Sequence, residues 1–249
     1  SMSSHKSSNL IGEVIVPGDK SISHRALIIG SLVTGNIKIK NLLESEDVIA
    51  TANALKTLGV KIYKQSDHWE VFGNGIGNFF GSNFKLDMGN SGTGSRLIMG
   101  LVAGSDVEAT ILGDQSLSKR PMKRIIIPLS KTGAIFDDPK NDNLPITLRG
   151  SKIPLPIEYK SPVASAQIKS SILLAGLSST GQTTVFEPSL SRDHSERMLE
   201  YLGAKISTTQ LPNNFWKITL DGLPTLKPLD IEIPSDPSSA AFPIVASII

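Results

Sequence analysis

Residues 165–206 read SAQIKSSILLAGLSSTGQTTVFEPSLSRDHSERMLEYLGAKI, and the order of signals in this stretch recurs twice upstream. A Ser-rich start at Ser165 leads into an apolar run, Ile172-Leu173-Leu174. Gly181 ends it, Thr183-Thr184-Val185-Phe186 reads as a strand, and Arg192-Asp193-His194 opens a second helix-like run before Gly203-Ala204-Lys205-Ile206. The same order starts at Ser21, with Ala26-Leu27-Ile28-Ile29, Gly35, Ile37-Lys38-Ile39, Glu44-Ser45-Glu46-Asp47, a helix around Val48 to Leu58, and Gly59-Val60-Lys61-Ile62. It starts again at Ser91, with Leu97-Ile98-Met99, Gly104, Ala109-Thr110-Ile111-Leu112, Lys119-Arg120-Pro121 and Gly133-Ala134-Ile135-Phe136. The three Ser starts lie 70 and 74 residues apart, and Gly59, Gly133 and Gly203 lie 74 and 70 apart. A unit of about 70 residues can barely supply its own core. The repeats therefore predict one domain of pseudo-threefold symmetry, with helices packed inside and sheets outside.

Within the second copy, Met122, Ile125, Ile126 and Leu129 form the apolar stripe of a helix, with Pro121 expected just inside its start and Gly133 just past its end. A fourth start follows at Asp236-Pro237-Ser238, 73 residues after Ser165, and leads into Ile244-Val245-Ala246. An apolar run with nothing after it to cover it reads as the opening of a second, truncated domain.

Composition narrows the function classes. At 39% hydrophobic and 19% charged residues, the chain suits an ordinary globular core. A formal net charge of +2 gives no bulk attraction to nucleic acid or membrane, so any anion site must be a local cluster. The absence of Cys removes disulfides and thiolate metal sites and suits a cytoplasmic location. The four His are scattered without a ligand-type pair, so no metal is expected. Residues 1–11 read as a tag and disordered leader.

Cations gather at the repeat starts. Lys20, Ser21 and Arg25 would share one face at a helix N-terminus, an anion-binding arrangement whose plainer alternative is an ordinary N-cap with solvated charges. Asp19 between Gly18 and Lys20 excludes a Walker A loop. The Gly-rich opening Gly89-Asn90-Ser91-Gly92-Thr93-Gly94 lets backbone approach an oxyanion, or simply caps a helix. Ser165-Ala166-Gln167 with Lys169 adds a third such opening. Arg120 and Arg192, placed at the starts of second helices where the dipole disfavours a cation, suit a carboxylate or phosphate ligand. Lys20, Arg25, Arg120, Arg192 and Lys169 are expected around one mouth.

Six ordered motifs carry a family resemblance: Val16 to Arg25 (VPGDKSISHR), Gly89 to Arg96 (GNSGTGSR), Lys119 to Met122 (KRPM), Ser165 to Gln167 (SAQ), Arg192 to Glu196 (RDHSE) and Asp236 to Ala240 (DPSSA). Together they resemble 5-enolpyruvylshikimate-3-phosphate synthases, most closely the bacterial subgroup that includes glyphosate-tolerant members. That subgroup carries Ala where this chain has Gly92.

The resemblance implies an α/β fold of the enolpyruvyl transferase type, an inverse α/β barrel of three βαβαββ units. On this reading residues 12–19 are a strand and crossover of a second domain. The barrel would occupy 20–234, in repeats of about 20–85, 86–150 and 151–234, and 235–249 would begin the second domain. It further implies that Lys20 touches both substrates and that Ser21, Arg25 and Arg192 hold shikimate 3-phosphate. Ser165 and Ala166 would receive its phosphate, Gln167 would lie under the ring near phosphoenolpyruvate, and Asn90, Gly92 and Arg120 would belong to the phosphoenolpyruvate side. No cofactor, nucleic acid or membrane partner is implied, and a monomer is expected.

The related transferase acting on UDP-N-acetylglucosamine carries Asn where this chain has Ser21 and commonly uses a Cys that is absent here. A non-catalytic anion-binding module and an RNA-binding cyclase with related repeats are more distant readings.

Overall fold

The computed structural model describes residues 12–248; the leader expected at 1–11 lies outside the described residues. Three helices open the three repeats: α1 (Lys20–Gly30), α3 (Gly92–Ala103) and α5 (Ala166–Gly176). Three more follow them, α2 (Glu46–Thr57), α4 (Lys123–Lys131) and α6 (His194–Tyr201). The two sets differ in burial. Ten of the twelve residues of α3 and nine of the eleven of α5 are buried, against five of twelve in α2 and four of nine in α4. A helix apolar on all sides belongs in a core, whereas one with a single apolar stripe flanks it. α3 and α5 approach backbone to backbone: a Cβ added at Gly100 would lie 2.4 Å from the Ser171 carbonyl oxygen.

The strands form three four-stranded sheets of identical plan. The first contains β1 (Thr34–Lys40), β2 (Lys61–Lys64), β3 (His68–Asn74) and, from the far end of the domain, β12 (Ile231–Glu232), in the order β12-β1-β3-β2. The second contains β4 (Phe80–Asp87), β5 (Asp106–Leu112), β6 (Ile135–Phe136) and β7 (Ile146–Arg149), ordered β4-β5-β7-β6. The third contains β8 (Glu158–Lys160), β9 (Gln182–Glu187), β10 (Ile206–Gln210) and β11 (Trp216–Asp221), ordered β8-β9-β11-β10. In each sheet the first-named pair is parallel and the remaining pairs are antiparallel. A doubly wound parallel sheet is thereby excluded.

Alternation along the strands turns one face to the helices. In β5, Val107, Ala109 and Ile111 are buried between half-buried neighbours. Each second helix ends in a left-handed glycine, with φ of +92° at Gly59, +97° at Gly133 and +103° at Gly203, a conformation that a Cβ disfavours. That shared requirement is the reason for their regular spacing. The structure thus has the inverse α/β barrel plan: three βαβαββ units with helices inside.

The unit boundaries differ from those read in the sequence. Position 85 falls inside β4, which pairs with β5, so the second unit begins near residue 80. Residues 231–232, counted with the third repeat, complete the first sheet, because among the described residues no strand precedes β1 to supply its parallel neighbour. Residues 12–17 form no strand. A single antiparallel bridge joins Gly18 to Ser235, flanked by Asp19 N–H to the Pro234 carbonyl (2.9 Å) and Asp236 N–H to the Pro17 carbonyl (2.8 Å). Pro121 stands before α4 rather than within it, and Met122 occupies the N-cap. α7 (Pro237–Ile248) realises the fourth helical start. Among the described residues no helix is long and apolar enough to cross a membrane.

Candidate functional site

Three side chains cap the central helices at one end of the domain. Asp19 accepts from Ile22 N–H (2.8 Å) at α1, Ser91 from Gly94 N–H (3.0 Å) at α3, and Ser165 from Ile168 N–H (3.4 Å) at α5. None of these three helices has an acidic residue in its first turn, whereas α2 carries Glu46 and Asp47 there and α6 carries Glu196. The partial positive ends of α3 and α5, capped only by neutral serines, are left uncompensated by an acidic side chain, whereas the Asp19 carboxylate caps α1.

At that end lies a cavity of about 490 Å³ whose lining includes Lys20, Ser21, Arg25, Ser165, Ala166, Gln167 and Arg192. All seven residues expected on the shikimate 3-phosphate side thus share one concavity. Lys20 is half-exposed and ion-paired with Asp47. Arg25 is 2% exposed, and its guanidinium is fixed on all sides. Nε donates to Ser195 Oγ (2.7 Å), Nη1 to Ser21 Oγ (2.7 Å) and to the Ser21 carbonyl (3.0 Å), and Nη2 to Ser170 Oγ (3.1 Å). Burial lowers its pKa to about 10, which leaves it charged at neutral pH.

The other three expected residues stand beside the cavity. Arg120 Nη2 donates to Asn90 Oδ1 (2.8 Å), and Asn90 Nδ2 donates to Asp114 (2.7 Å). Gly92 leaves room for this group, since a Cβ there would lie 2.9 Å from Arg120 Nη1 and 3.3 Å from Arg96 Nη1. A hydrogen-bonded chain joins the two sides: Arg96 Nη1 donates to Gln167 Oε1 (2.8 Å), and Gln167 Nε2 donates to Thr93 Oγ1 (2.9 Å). Burial, then Arg120 and Arg124, depress the Arg96 pKa, and among the described residues its buried Nε has no hydrogen-bond partner. Such crowding of guanidinium groups favours an incoming anion.

Lys169 departs from expectation. It is fully buried, 2.6 Å from Glu196 Oε1 and 3.2 Å from Glu187 Oε2, and it does not reach the mouth. A charge this deep survives only when paired. Arg25, Arg96 and Lys169 are the sixth, fifth and fourth residues of the three central helices, so their place near the helix starts did not separate the cation sealed in an ion-pair network from those beside the cavity. Thr93, Ser191, Asp19 and Asp236 also line the cavity, although the sequence assigned them no substrate contact. Asp236 is engaged as the cap of α7; the Ser239 hydroxyl (2.6 Å) and then the Ser238 and Ser239 N–H groups (both 3.1 Å) donate to it, and these bonds hold its pKa down.

His24 ties the helix starts together. Its Nδ1 lies 2.8 Å from Thr51 Oγ1 and its Nε2 3.5 Å from Ser91 Oγ. Burial lowers its pKa from 6.5 to about 4, against a smaller opposing effect of Asp47. The unfolded chain therefore binds this proton more readily than the folded one. Stability is fully present above pH 6.5 and falls as the pH drops toward 4, by about 2 kcal/mol between pH 7 and pH 5. Urea midpoints should show that slope, and His24→Gln should flatten it; an unchanged slope in the variant would assign the acid sensitivity elsewhere.

Three helix starts turned on one cavity that holds Lys20, Arg25 and Arg192, in a barrel of three repeated units, define a domain of the enolpyruvyl transferase type. The sequence profile of EPSP synthase (3-phosphoshikimate 1-carboxyvinyltransferase) matches residues 4–249, and the chain belongs to that family. It is 52% identical over 250 residues to 3-phosphoshikimate 1-carboxyvinyltransferase of Parvibaculum lavamentivorans, covering 100% of this chain and 55% of the relative. It is 54% identical over 244 residues to the protein of that name from Afipia carboxidovorans, covering 98% and 55%. The structure superposes on EPSP synthase from Acinetobacter baumannii with a TM-score of 0.85 at 41% identity, over 93% of this chain and 51% of that one. The chain thus spans about half the length of the relatives it matches.

Proposed function

We propose that this chain forms the shikimate 3-phosphate half of an enolpyruvyl transferase, whose whole protein joins phosphoenolpyruvate to the 5-hydroxyl of shikimate 3-phosphate. The observation that carries this reading is the single cavity shared by Lys20, Ser21, Arg25, Ser165, Gln167 and Arg192. In the reaction, the 5-hydroxyl adds to C2 of phosphoenolpyruvate while C3 takes a proton. Loss of phosphate from C2 together with a proton from C3 then restores the double bond and yields 5-enolpyruvylshikimate 3-phosphate.

Ser21, Arg25, Ser165, Ala166 and Arg192 would hold shikimate 3-phosphate. Asn90, Gly92 and Arg120 would hold phosphoenolpyruvate, with Lys20 and Gln167 between the two. These groups neutralise and orient two polyanions, a large part of what such a reaction needs, and require no cofactor. The lining carboxylates, Asp19 and Asp236, are both occupied in capping helices. The proton-transfer groups and the remaining cations would then come from a second domain entered through the paired segments at residues 17–19 and 234–236. A cytoplasmic monomer fits this reading.

Phosphate release should be followed with both substrates for the 249-residue chain and for a parent that carries both domains. Turnover by the parent alone is expected, with shikimate 3-phosphate binding the chain no tighter than roughly millimolar, since each ~1.4 kcal/mol of lost contact is tenfold in affinity. NMR shifts at Lys20, Arg25, Ser165 and Gln167 would register that binding. Turnover by the chain at the parent's rate, or no shift at these residues, would refute the reading.

A further inference from the structure

Glu187, the last residue of β9, is fully buried beneath the cavity yet surrounded by donors from both of its neighbouring loops. Its Oε1 accepts from Ser165 N–H (3.1 Å) and Ser191 Oγ (2.8 Å). Its Oε2 accepts from Ser191 N–H (3.3 Å), Ser191 Oγ (2.9 Å) and Lys169 Nζ (3.2 Å). Ser165 and Ser191 both line the cavity, and they belong to separate segments, one before α5 and one between β9 and α6. A carboxylate in such a place is expensive, and an apolar side chain would pack β9 against α5 at lower cost. Its donors are what an apolar side chain could not engage.

We infer that Glu187 is a positioning residue that locks the Ser165 and Ser191 segments into one phosphate cradle, with Lys169 neutralising it from below. The inference rests on the transferase reading for the identity of the phosphate, but the locking itself does not depend on it. Glu187→Gln keeps the shape and exchanges one acceptor oxygen for an NH₂ donor. The retained oxygen belongs toward Lys169 and the Ser191 amide, where more donors converge, so the NH₂ group is forced toward Ser165 N–H and that bond is lost.

In the two-domain protein, E187Q should raise KM for shikimate 3-phosphate at least about tenfold, while KM for phosphoenolpyruvate and kcat change less than about threefold. Affinity for shikimate, which lacks the phosphate, should stay level, so that discrimination between the two falls; a general loosening of the domain would weaken both. Ser191→Ala, which removes only the hydroxyl bonds, should show the same pattern more weakly and carries the test if E187Q does not fold. In the 249-residue chain, amide exchange at Ser165 should quicken at least about tenfold in E187Q while α3 amides keep their protection. That measurement needs no substrate. A wild-type parent that fails to use shikimate 3-phosphate would sink the transferase reading and leave the exchange result to decide on Glu187. Unchanged KM ratios in both variants together with unchanged exchange at Ser165 would overturn the inference.

Discussion

Replacing Lys169 by methionine is expected to destabilise the domain by about 3–5 kcal/mol, the loss typical of removing one partner from a buried ion pair. The methionine fits the volume, so the deficit is electrostatic. Lys169 is the cation between Glu187 and Glu196, and all three side chains are between 0% and 6% exposed. Burial already raises the Glu196 pKa, opposed chiefly by Lys169, and Glu187 raises it further. Without Lys169, two carboxylates would face each other in a dry interior, and one would take up a proton. A carboxylate whose folded pKa lies above its unfolded value contributes stability that is present at low pH and lost as pH rises. The K169M deficit should therefore be largest near neutral pH and shrink toward pH 5. Urea midpoints at the two pH values test this, and adding E196Q to K169M should restore part of the loss at pH 7. A wild-type midpoint in K169M would remove the network from the stability of the fold.

Arg25→Ala should show the other large effect, on the fold and on the ligand together. Hydrogen bonds to a charged group contribute roughly 1.5–3 kcal/mol each, and Arg25 makes such bonds to Ser21, Ser170 and Ser195. The sum overstates the loss, because Ser170 and Ser195 lie 2.6 Å apart and can satisfy each other. A net loss of about 3 kcal/mol in stability is expected, with affinity for shikimate 3-phosphate reduced about 100-fold. Arg25→Lys separates the two effects. It keeps the charge but not the planar fork, so it should recover part of the stability while leaving affinity at least about tenfold low. Denaturation midpoints and KM in the two-domain protein measure both. A normal KM in folded R25A would place the guanidinium outside the ligand's reach.

The repeat architecture was legible because each unit needs the same backbone features at the same place. A helix cap and a left-handed glycine recur at fixed spacing, and both leave a mark on residue type. The candidate site residues drew attention for a related reason: a cation at a helix start is disfavoured by the dipole, although the serines beside it are also ordinary N-caps. Two things could not be read. The burial of Lys169 depends on Glu187 and Glu196, which lie 18 and 27 residues further along the chain and carry no local signal of pairing. Its place among Ile168, Ile172 and Leu173 on a buried helix was the available hint. The strand that completes the first sheet, β12, is two residues long, too short for any alternation to register. Arg96 and Thr93 were within a recognised motif, but their link to Gln167 exists only once α3 and α5 have packed.

That short closing strand bears on how the chain reaches its folded state during synthesis. Lys38 in β1 and Asp230 beside β12 are 192 residues apart, yet they meet through a backbone-to-carboxylate hydrogen bond. At roughly 5–20 residues per second, a nascent β1 waits on the order of ten to forty seconds before its parallel neighbour has been made. For that interval it presents an open edge, the kind of surface on which nascent chains stick to one another. Along it, Lys38 and Lys40 stand exposed, alternating with the buried Ile37 and Ile39. Two charged lysines on a seven-residue strand disfavour edge-to-edge association there until the last strand arrives.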